Sequence, residues 1–439
     1  MSTSTTPTDA KPARTPVGAG MTPRRKAVIV GGGLAAAKTA EALRDKGYDG
    51  QVRVITAESH LPYERPALSK GNLTKGGAAE GATTLSQEWY DSHDVEVLTG
   101  QRVESIDPNG FLDLPRGRRV PWDDLVLATG AEARRLDMPG AALEGIHHLR
   151  TLDDSDRLRR ALAGGGDVVI VGGGWIGLEV AAAARFHGCA VTVLEQSALP
   201  LAHVFGPAFG QFLADLHTGH GVEIRPHAAV TGFRGDGHGA VAAVELADGS
   251  AVTAHLVVVG VGAVPTTALG AGLLAVDNGF VVDERLRTSL PNVYAVGDVA
   301  NAWHPTLGRQ VRVEHWDTAL RQPAVAAAGI VGEHTAYDAL PYFFSDQYDL
   351  GLEFVGLLTP GKTYDIVRRP GPTDREFVAF WRDGVRVVGA MAVNTWGLTS
   401  DLEALVRQRP DVSSSRLRDP DVPLADLTGR RLDPVPSVP

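Results

Sequence analysis

Val28-Ile29-Val30-Gly31-Gly32-Gly33 recurs letter for letter at Val169-Ile170-Val171-Gly172-Gly173-Gly174. Each copy reads as the end of a buried strand that enters a glycine turn and then a helix. The first copy continues as Gly31-x-Gly33-x-x-Ala36, the second as Gly172-x-Gly174-x-x-Gly177. In both, the first glycine permits the tight turn and the second lets backbone approach a pyrophosphate. The small third residue lets the helix pack close to the strand, so that its N-terminal N–H groups face the phosphates. An acidic residue closes the next strand of each copy, Glu58 after VRVITA and Glu195 after AVTVL. That is the position of a carboxylate gripping an adenosine ribose, about 20 residues on. Two complete fingerprints imply two dinucleotides bound together, most economically FAD and NAD(P).

A chain of 439 residues predicts two or three domains, and an apolar fraction of 44% is enough to build their cores. A net charge of −10 argues against bulk nucleic-acid binding. No apolar run reaches the roughly 20 residues that span a bilayer. The opening MSTSTTPTDAKPARTPVGAG has no apolar signal core and reads as a disordered tail over residues 1–24, with Met21 as an alternative start. The one cysteine, Cys189, allows no intramolecular disulfide, which fits a cytoplasmic protein. It also excludes dithiol chemistry, and Cys189 is expected to be a buried structural residue.

The order of elements predicts an α/β architecture. The first unit runs from Lys26 to about Gly130 and closes on Leu125-Val-Leu-Ala-Thr-Gly130. The second, about Gly145 to Gly262, closes on His255-Leu-Val-Val-Val-Gly-Val-Gly262. The chain then returns to the first unit through Val293-Tyr-Ala-Val-Gly-Asp298. From Pro341 onward, LEFVGLL, EFVAFWRDG and RVVGAMAV predict an antiparallel sheet, with Asp383-Gly384 as a hairpin turn. The Pro/Asp/Ser-rich stretch after Arg409 is expected to lie along the surface. The domain expectation is an FAD-binding domain over 25–144 and 263–338, an NAD-binding domain over 145–262, an α+β domain over 339–426 and a tail over 427–439.

Five stretches together carry a family resemblance: VIVGGGLAAAKTAEALR, LPYERPALSK, VIVGGGWIGLEVAAAAR, VYAVGDVA with VEHWDTALRQ, and PYFFSDQYDLGLEFVG. From Lys26 to about Leu427 the chain resembles the FAD-dependent NAD(P)H reductases that feed ferredoxins or rubredoxins, a group within the pyridine nucleotide-disulfide oxidoreductase superfamily that includes apoptosis-inducing-factor-like proteins. ERPALSK and SDQYDL are the specific part of the match, since many flavoproteins share the glycine motifs. The resemblance implies a glutathione-reductase-like fold, two Rossmann-like domains for FAD and NAD plus a C-terminal α+β domain.

It also implies roles. Glu58 binds the FAD ribose, and Arg65 and Lys70 lie over the cofactor, with Lys70 near flavin N5, where a cation stabilises electron density on the ring. Arg150 touches FAD, Asp298 after Gly297 holds the ribityl-phosphate region, and Trp316 in Glu314-His315-Trp316 brings its backbone N–H to the pyrimidine edge. Glu179 reaches the nicotinamide and pairs with Lys70, which makes Lys70 and Glu179 the catalytic candidates. Gly31, Gly33, Leu34, Ala35, Val103, Ala128, Thr129 and Gly130 count as cofactor contacts, as do Gly172, Gly174, Trp175, Ile176, Glu195 and Gly262, together with Glu314 and His315. The fourteen histidines show no ligand spacing; His147-His148, His217 and His220 are loosely placed, and no metal site is expected.

The functional expectation is a flavoenzyme that passes hydride from NADH to FAD and electrons on to a ferredoxin-type iron–sulfur protein. It has no nucleic-acid or membrane partner and acts as a monomer or homodimer. Two alternatives stay open: an NADH oxidase or diaphorase acting on oxygen, a quinone or a small molecule, and an apoptosis-inducing-factor-like redox-signalling protein. Glu195 is followed by Gln196 and Ser197, with no arginine for a 2′-phosphate, which favours NADH over NADPH; His203 is close enough to soften that preference. The family often carries Trp-Phe-Trp before Ser-Asp-Gln, where this chain has Tyr342-Phe343-Phe344, and Ala67 stands where proline is more frequent. Arg65, Arg312, Arg321, Arg134 and Arg135 are the candidates for a basic face that meets an acidic acceptor.

Overall fold

A computed structural model describes residues 24–76 and 82–428. Apart from Arg24, the expected N-terminal tail lies outside them, as do the Met21 start and all but the first two residues of the 427–439 tail. Each glycine fingerprint leaves the central strand of a five-stranded parallel sheet. In the first sheet the order is Val293–Ala295, Asp124–Leu127, Lys26–Val30, Gln51–Ile55 and Val95–Leu98. In the second it is Val222–Arg225, Ala190–Leu194, Asp167–Val171, Leu256–Val259 and Ile146–His147. The central strands are buried on both faces, as the unbroken Val/Ile runs require.

The two units share a plan. A three-stranded antiparallel meander precedes the last strand of the repeat in each, over Ser105–Pro121 in the first and Val230–Thr253 in the second. The chain crosses between units on a two-stranded link, Ala131–Ala133 paired antiparallel with Ala263–Pro265. The helix Leu34–Asp45 turns Ala36, Ala37, Ala40 and Leu43 inward and packs on the long helix Trp316–Ile330. Alanines at these positions let the two backbones approach closely.

The third sheet is antiparallel, in the order Tyr342–Gln347, Leu350–Gly356, Arg386–Val393, Phe377–Asp383 and Asp365–Pro370. Its hairpin turn is Gly384-Val385, one residue beyond the expected Asp383-Gly384, because Asp383 still pairs with Arg386 and the positive φ (64°) falls on Gly384. One face packs against the helix Pro207–Gly219 of the second unit, where buried Trp381 donates its indole N–H to the Phe205 carbonyl at 2.9 Å. The other face carries the helix Thr399–Gln408.

The surface-lying tail expected after Arg409 is corrected. Val412, Leu417, Leu424 and Leu427 are buried against the third sheet, and two short helices, Ser414–Arg418 and Leu424–Leu427, form there. Arg369, itself buried, donates to the carbonyls of Leu417, Val422 and Arg416 and ties the segment down. The polar composition hid a sparse apolar spacing that needs a ready-made sheet to become useful.

Candidate functional site

The first cleft is shaped by what its glycines cannot be. A Cβ on Gly31, whose φ is +149°, would stand 2.1 Å from the Ala128 carbonyl oxygen, and one on Gly32 would stand 2.1 Å from Thr56 Oγ1. The turn is therefore pressed onto the ends of the neighbouring strands. Gly33 is the N-cap of the following helix, and no side chain caps that end, so backbone donors and the positive end of the helix dipole, with Leu34 and Ala35, face the cleft. Gly297, at φ +74°, sits against Ala35, which seats Asp298 at the same end.

Polar side chains converge on this turn. Glu58 accepts hydrogen bonds from Tyr63 Oη at 2.5 Å and Arg65 Nη2 at 2.9 Å. Arg150 Nη2 donates to Asp298 Oδ2 at 2.6 Å, and Arg65 donates to the Arg150 carbonyl. Arg312 donates to the Asp298 carbonyl at 3.1 Å and to Glu314 at 2.9 Å. The Ala128-Thr129-Gly130 turn is braced by Thr266, whose N–H donates to the Gly130 carbonyl while its own carbonyl accepts from Thr129 Oγ1. Four polar atoms here are buried without a partner among the described residues: Arg150 Nε, Arg312 Nε, His315 Nδ1 and Thr266 Oγ1. Buried donors of this kind normally have partners. An anionic, polyhydroxylated ligand would satisfy them, and an FAD ribityl diphosphate fits that description.

The second cleft repeats the geometry. A Cβ on Gly172 would lie 2.6 Å from the Gly260 carbonyl oxygen, and one on Gly177 would lie 2.1 Å from that of Gly172. Gly174 begins its helix without a side-chain cap. Glu195 accepts from the N–H groups of Gly173 at 2.9 Å and Ser197 at 2.6 Å. Arg225, on the adjacent strand, is turned to Glu223 at 2.7 Å. Ile176 is 44% exposed at the helix start, and Gly262, at φ +100°, has open space beside it. Trp175 packs edge-on to Phe205 and tilted against Phe343.

An ion pair joins the two clefts. Lys70 Nζ, from the ERPALSK loop, stands 2.9 Å from Glu179 Oε1 on the second fingerprint helix. Glu179 is only 5% exposed, and its carboxylate also accepts from Ser69 Oγ and, at 2.6 Å, from Ser345 Oγ of the third sheet. Lys70 Nζ lies 5.3 Å from the centre of the Phe344 ring. Trp316 Nε1 donates to Glu64 Oε2 at 2.9 Å, which fastens the loop to the helix Trp316–Ile330. All three parts of the fold thus contribute to one buried junction. Burial pushes the His315 imidazole down to about 4, so it is neutral at pH 7. Val103 stands apart from this polar set, packed at the edge of the first core.

Several expectations change. Arg312 and Arg65 are not surface cations: their side chains are 11% and 27% exposed and engaged with Glu314 and Glu58. Of the proposed basic face, Arg134, Arg135 and Arg321 remain exposed, Arg321 in an ion pair with Asp317 at 2.6 Å. His217 is not loosely placed but fully buried, with Nε2 2.8 Å from Gln347 Oε1. Cys189 is buried, and its Sγ lies 3.5 Å from the Leu162 carbonyl. Sequence reasoning missed Tyr63, Ser69 and Gln322, whose Oε1 accepts the Gly297 N–H at 2.8 Å. Tyr63 and Ser69 stand inside or beside the ERPALSK motif, and Gln322 closes the VEHWDTALRQ stretch, where no spacing signals its bond to Gly297. Among the described residues no cluster of His, Cys, Asp and Glu could hold a metal ion, and no helix is long and apolar enough to cross a membrane.

The chain matches the family model described as pyridine nucleotide-disulphide oxidoreductase over residues 25–323, and the reductase C-terminal model over residues 342–428. It is 39% identical over 401 residues to the anthranilate 1,2-dioxygenase system ferredoxin–NAD(+) reductase component of Burkholderia cepacia, covering 90% of this chain and 98% of that protein. The crystal structure of the ferredoxin reductase for the CYP199A2 system from Rhodopseudomonas palustris superposes with a TM-score of 0.87 at 34% identity, covering 92% and 99% of the two chains. The reductase of a covalent putidaredoxin reductase–putidaredoxin complex gives 0.86, also at 34% identity, covering 92% and 98%.

Proposed function

The chain belongs to the pyridine nucleotide-disulphide oxidoreductase family, and on that basis we propose that it is an FAD-dependent NADH reductase whose electron acceptor is a ferredoxin-type iron–sulfur protein. The observation that carries this reading is the Lys70–Glu179 pair at the meeting of two dinucleotide clefts. The cofactors supply hydride transfer from the nicotinamide and onward release of the two electrons one at a time. Gly31, Gly33, Glu58, Arg150 and Asp298 would hold FAD. Gly172, Gly174 and Glu195 would hold NADH, with the Glu195 carboxylate on the free ribose hydroxyls.

The residues orient and neutralise. Arg150 and Asp298 fix each other across the first helix terminus, so the donors there are set before a ligand arrives. Lys70 is held at the junction by Glu179 and presents fixed positive charge where negative charge builds up during reduction. His315, neutral, adds a polar edge without a second cation. Trp175, Phe205 and Phe343 pack on one another as an aromatic cluster that joins the second fingerprint helix to the third sheet. One cysteine and no described membrane-spanning helix support a cytoplasmic setting.

The test is Lys70→Ala, assayed anaerobically by rapid mixing with NADH. The reading expects FAD to stay bound and flavin reduction to slow by roughly 10²-fold, the scale of a lost electrostatic partner. Reduction at the parent rate would contradict it.

A further inference from the structure

Glu179 lies at the end of a buried hydrogen-bonded chain that reaches it from the third sheet and from the helix Pro207–Gly219. Ser345 Oγ donates to Glu179 Oε1 at 2.6 Å. Gln347, two residues along the same strand face, donates its Nε2 to Ser345 Oγ at 3.2 Å. Its Oε1 accepts from His217 Nε2 at 2.8 Å, and His217 Nδ1 faces the Tyr348 hydroxyl at 3.4 Å. Ser345, Gln347 and His217 are each at most 2% exposed. Tyr348 closes the chain from the hairpin turn, where it holds a positive φ of 56° and stacks on His220 at 3.7 Å.

The bonds have one direction. With Nε2 protonated, His217 donates to Gln347, Gln347 donates to Ser345, and Ser345 donates to the carboxylate, while Nδ1 is left to accept from Tyr348. Glu179 is therefore the negative terminus of an aligned series of dipoles, and aligned hydrogen bonds strengthen one another. A buried carboxylate needs such donors, because an unsatisfied charge there is costly. Lys70 and Ser69 supply two, and the chain through Ser345 supplies the third. Nothing in the proposed hydride transfer uses His217 or Gln347, yet both are buried, and their side chains are bonded to each other, to Ser345 and to Tyr348.

We infer that Ser345, Gln347 and His217 are positioning residues that aim the Glu179 carboxylate at Lys70, so that the third sheet and the helix Pro207–Gly219 tune electron entry at the junction. This rests on the NADH-reductase reading. It also gives the C-terminal sheet a part in the first half of the reaction, in addition to any contact with an acceptor.

The experiment is a double-mutant cycle on the FAD-loaded protein, with two readouts. The first is the rate of anaerobic flavin reduction by saturating NADH, and the second is the flavin midpoint potential from equilibrium dye titration. Ser345→Ala is expected to slow reduction about tenfold, the scale of one hydrogen bond to a charge, and to make the potential more negative, since the carboxylate charge is less compensated. Gln347→Met and His217→Asn should give the same signs with smaller size, and Ser345→Thr should restore both. In a Glu179→Gln background, Ser345→Ala should change neither readout, because the effect passes through the carboxylate. Equal effects of Ser345→Ala in both backgrounds would overturn the inference, as would parent-like rate and potential in Ser345→Ala and Gln347→Met. A parent protein that NADH does not reduce would count instead against the reductase reading.

Discussion

Glu195 is the proposed determinant of the coenzyme, since two backbone N–H groups hold its carboxylate at the end of its strand. A fixed carboxylate accepts a ribose hydroxyl and repels a 2′-phosphate, and Arg225, on the adjacent strand, is engaged by Glu223. The expected outcome is a kcat/KM for NADH at least roughly tenfold above that for NADPH, narrowed in Glu195→Ser; equal values for the two coenzymes would refute the assignment. His217 yields a second prediction. Burial pushes its imidazole down to about 4 from an ordinary 6.5. Its contribution to stability is therefore complete above pH 6.5 and is lost as pH falls toward 4, when the unfolded chain takes up a proton that the folded one refuses. A variant without the titrating group, His217→Asn, should lose less stability between pH 7 and 4, by up to about 3 kcal/mol, measured by denaturant unfolding at several pH values. At this scale the sequence was legible wherever a motif is local. Glu58 and Glu195 stand at fixed offsets from glycines, and Lys70 stands in the ERPALSK stretch that carries the resemblance. Ser345 and Gln347 stand within SDQYDL, but their link to Glu179 runs across two parts of the fold and no local spacing announces it.

Between elements, the weakest inference from sequence was the segment after Arg409. Strand periodicity and fingerprint turns are dense signals, and the two parallel sheets and the antiparallel third sheet follow from them. Four apolar residues among prolines and aspartates are a sparse signal, and they acquire meaning only when the third sheet offers a face. Arg369 makes this checkable. Its guanidinium satisfies three carbonyls of the segment, so Arg369→Leu strands buried acceptors and should destabilise the protein by about 2–4 kcal/mol. A Tm unchanged from the parent would show that the segment is not held in this way.

Across the whole molecule, the acidic balance sets a problem for a reductase that must meet a small acidic protein. The structure withdraws Arg312 and Arg65 from the solvent and leaves Arg321, Arg134 and Arg135. The sequence could not separate these classes, since an arginine inside an ion pair and one on a surface look alike without their neighbours. Steering by the exposed set predicts that ferredoxin reduction slows with added salt, and that Arg321→Glu raises KM for ferredoxin several-fold while leaving KM for NADH unchanged. Equal KM values for ferredoxin in parent and variant would remove Arg321 from the docking face. The family's frequent tryptophans are replaced here by Tyr342, which donates to Glu353, and by Phe344, whose ring lies against Lys70 at the junction. In the proposed function electrons enter from NADH and leave to an iron–sulfur protein. Double-mixing stopped flow addresses it directly: the FAD-loaded protein is reduced anaerobically with one equivalent of NADH, then mixed with a [2Fe–2S] ferredoxin, with oxygen or with a quinone. Rapid reduction by NADH and reoxidation by ferredoxin well ahead of the other two are expected; reoxidation by oxygen or quinone alone, with ferredoxin left oxidised, would overturn the proposed acceptor.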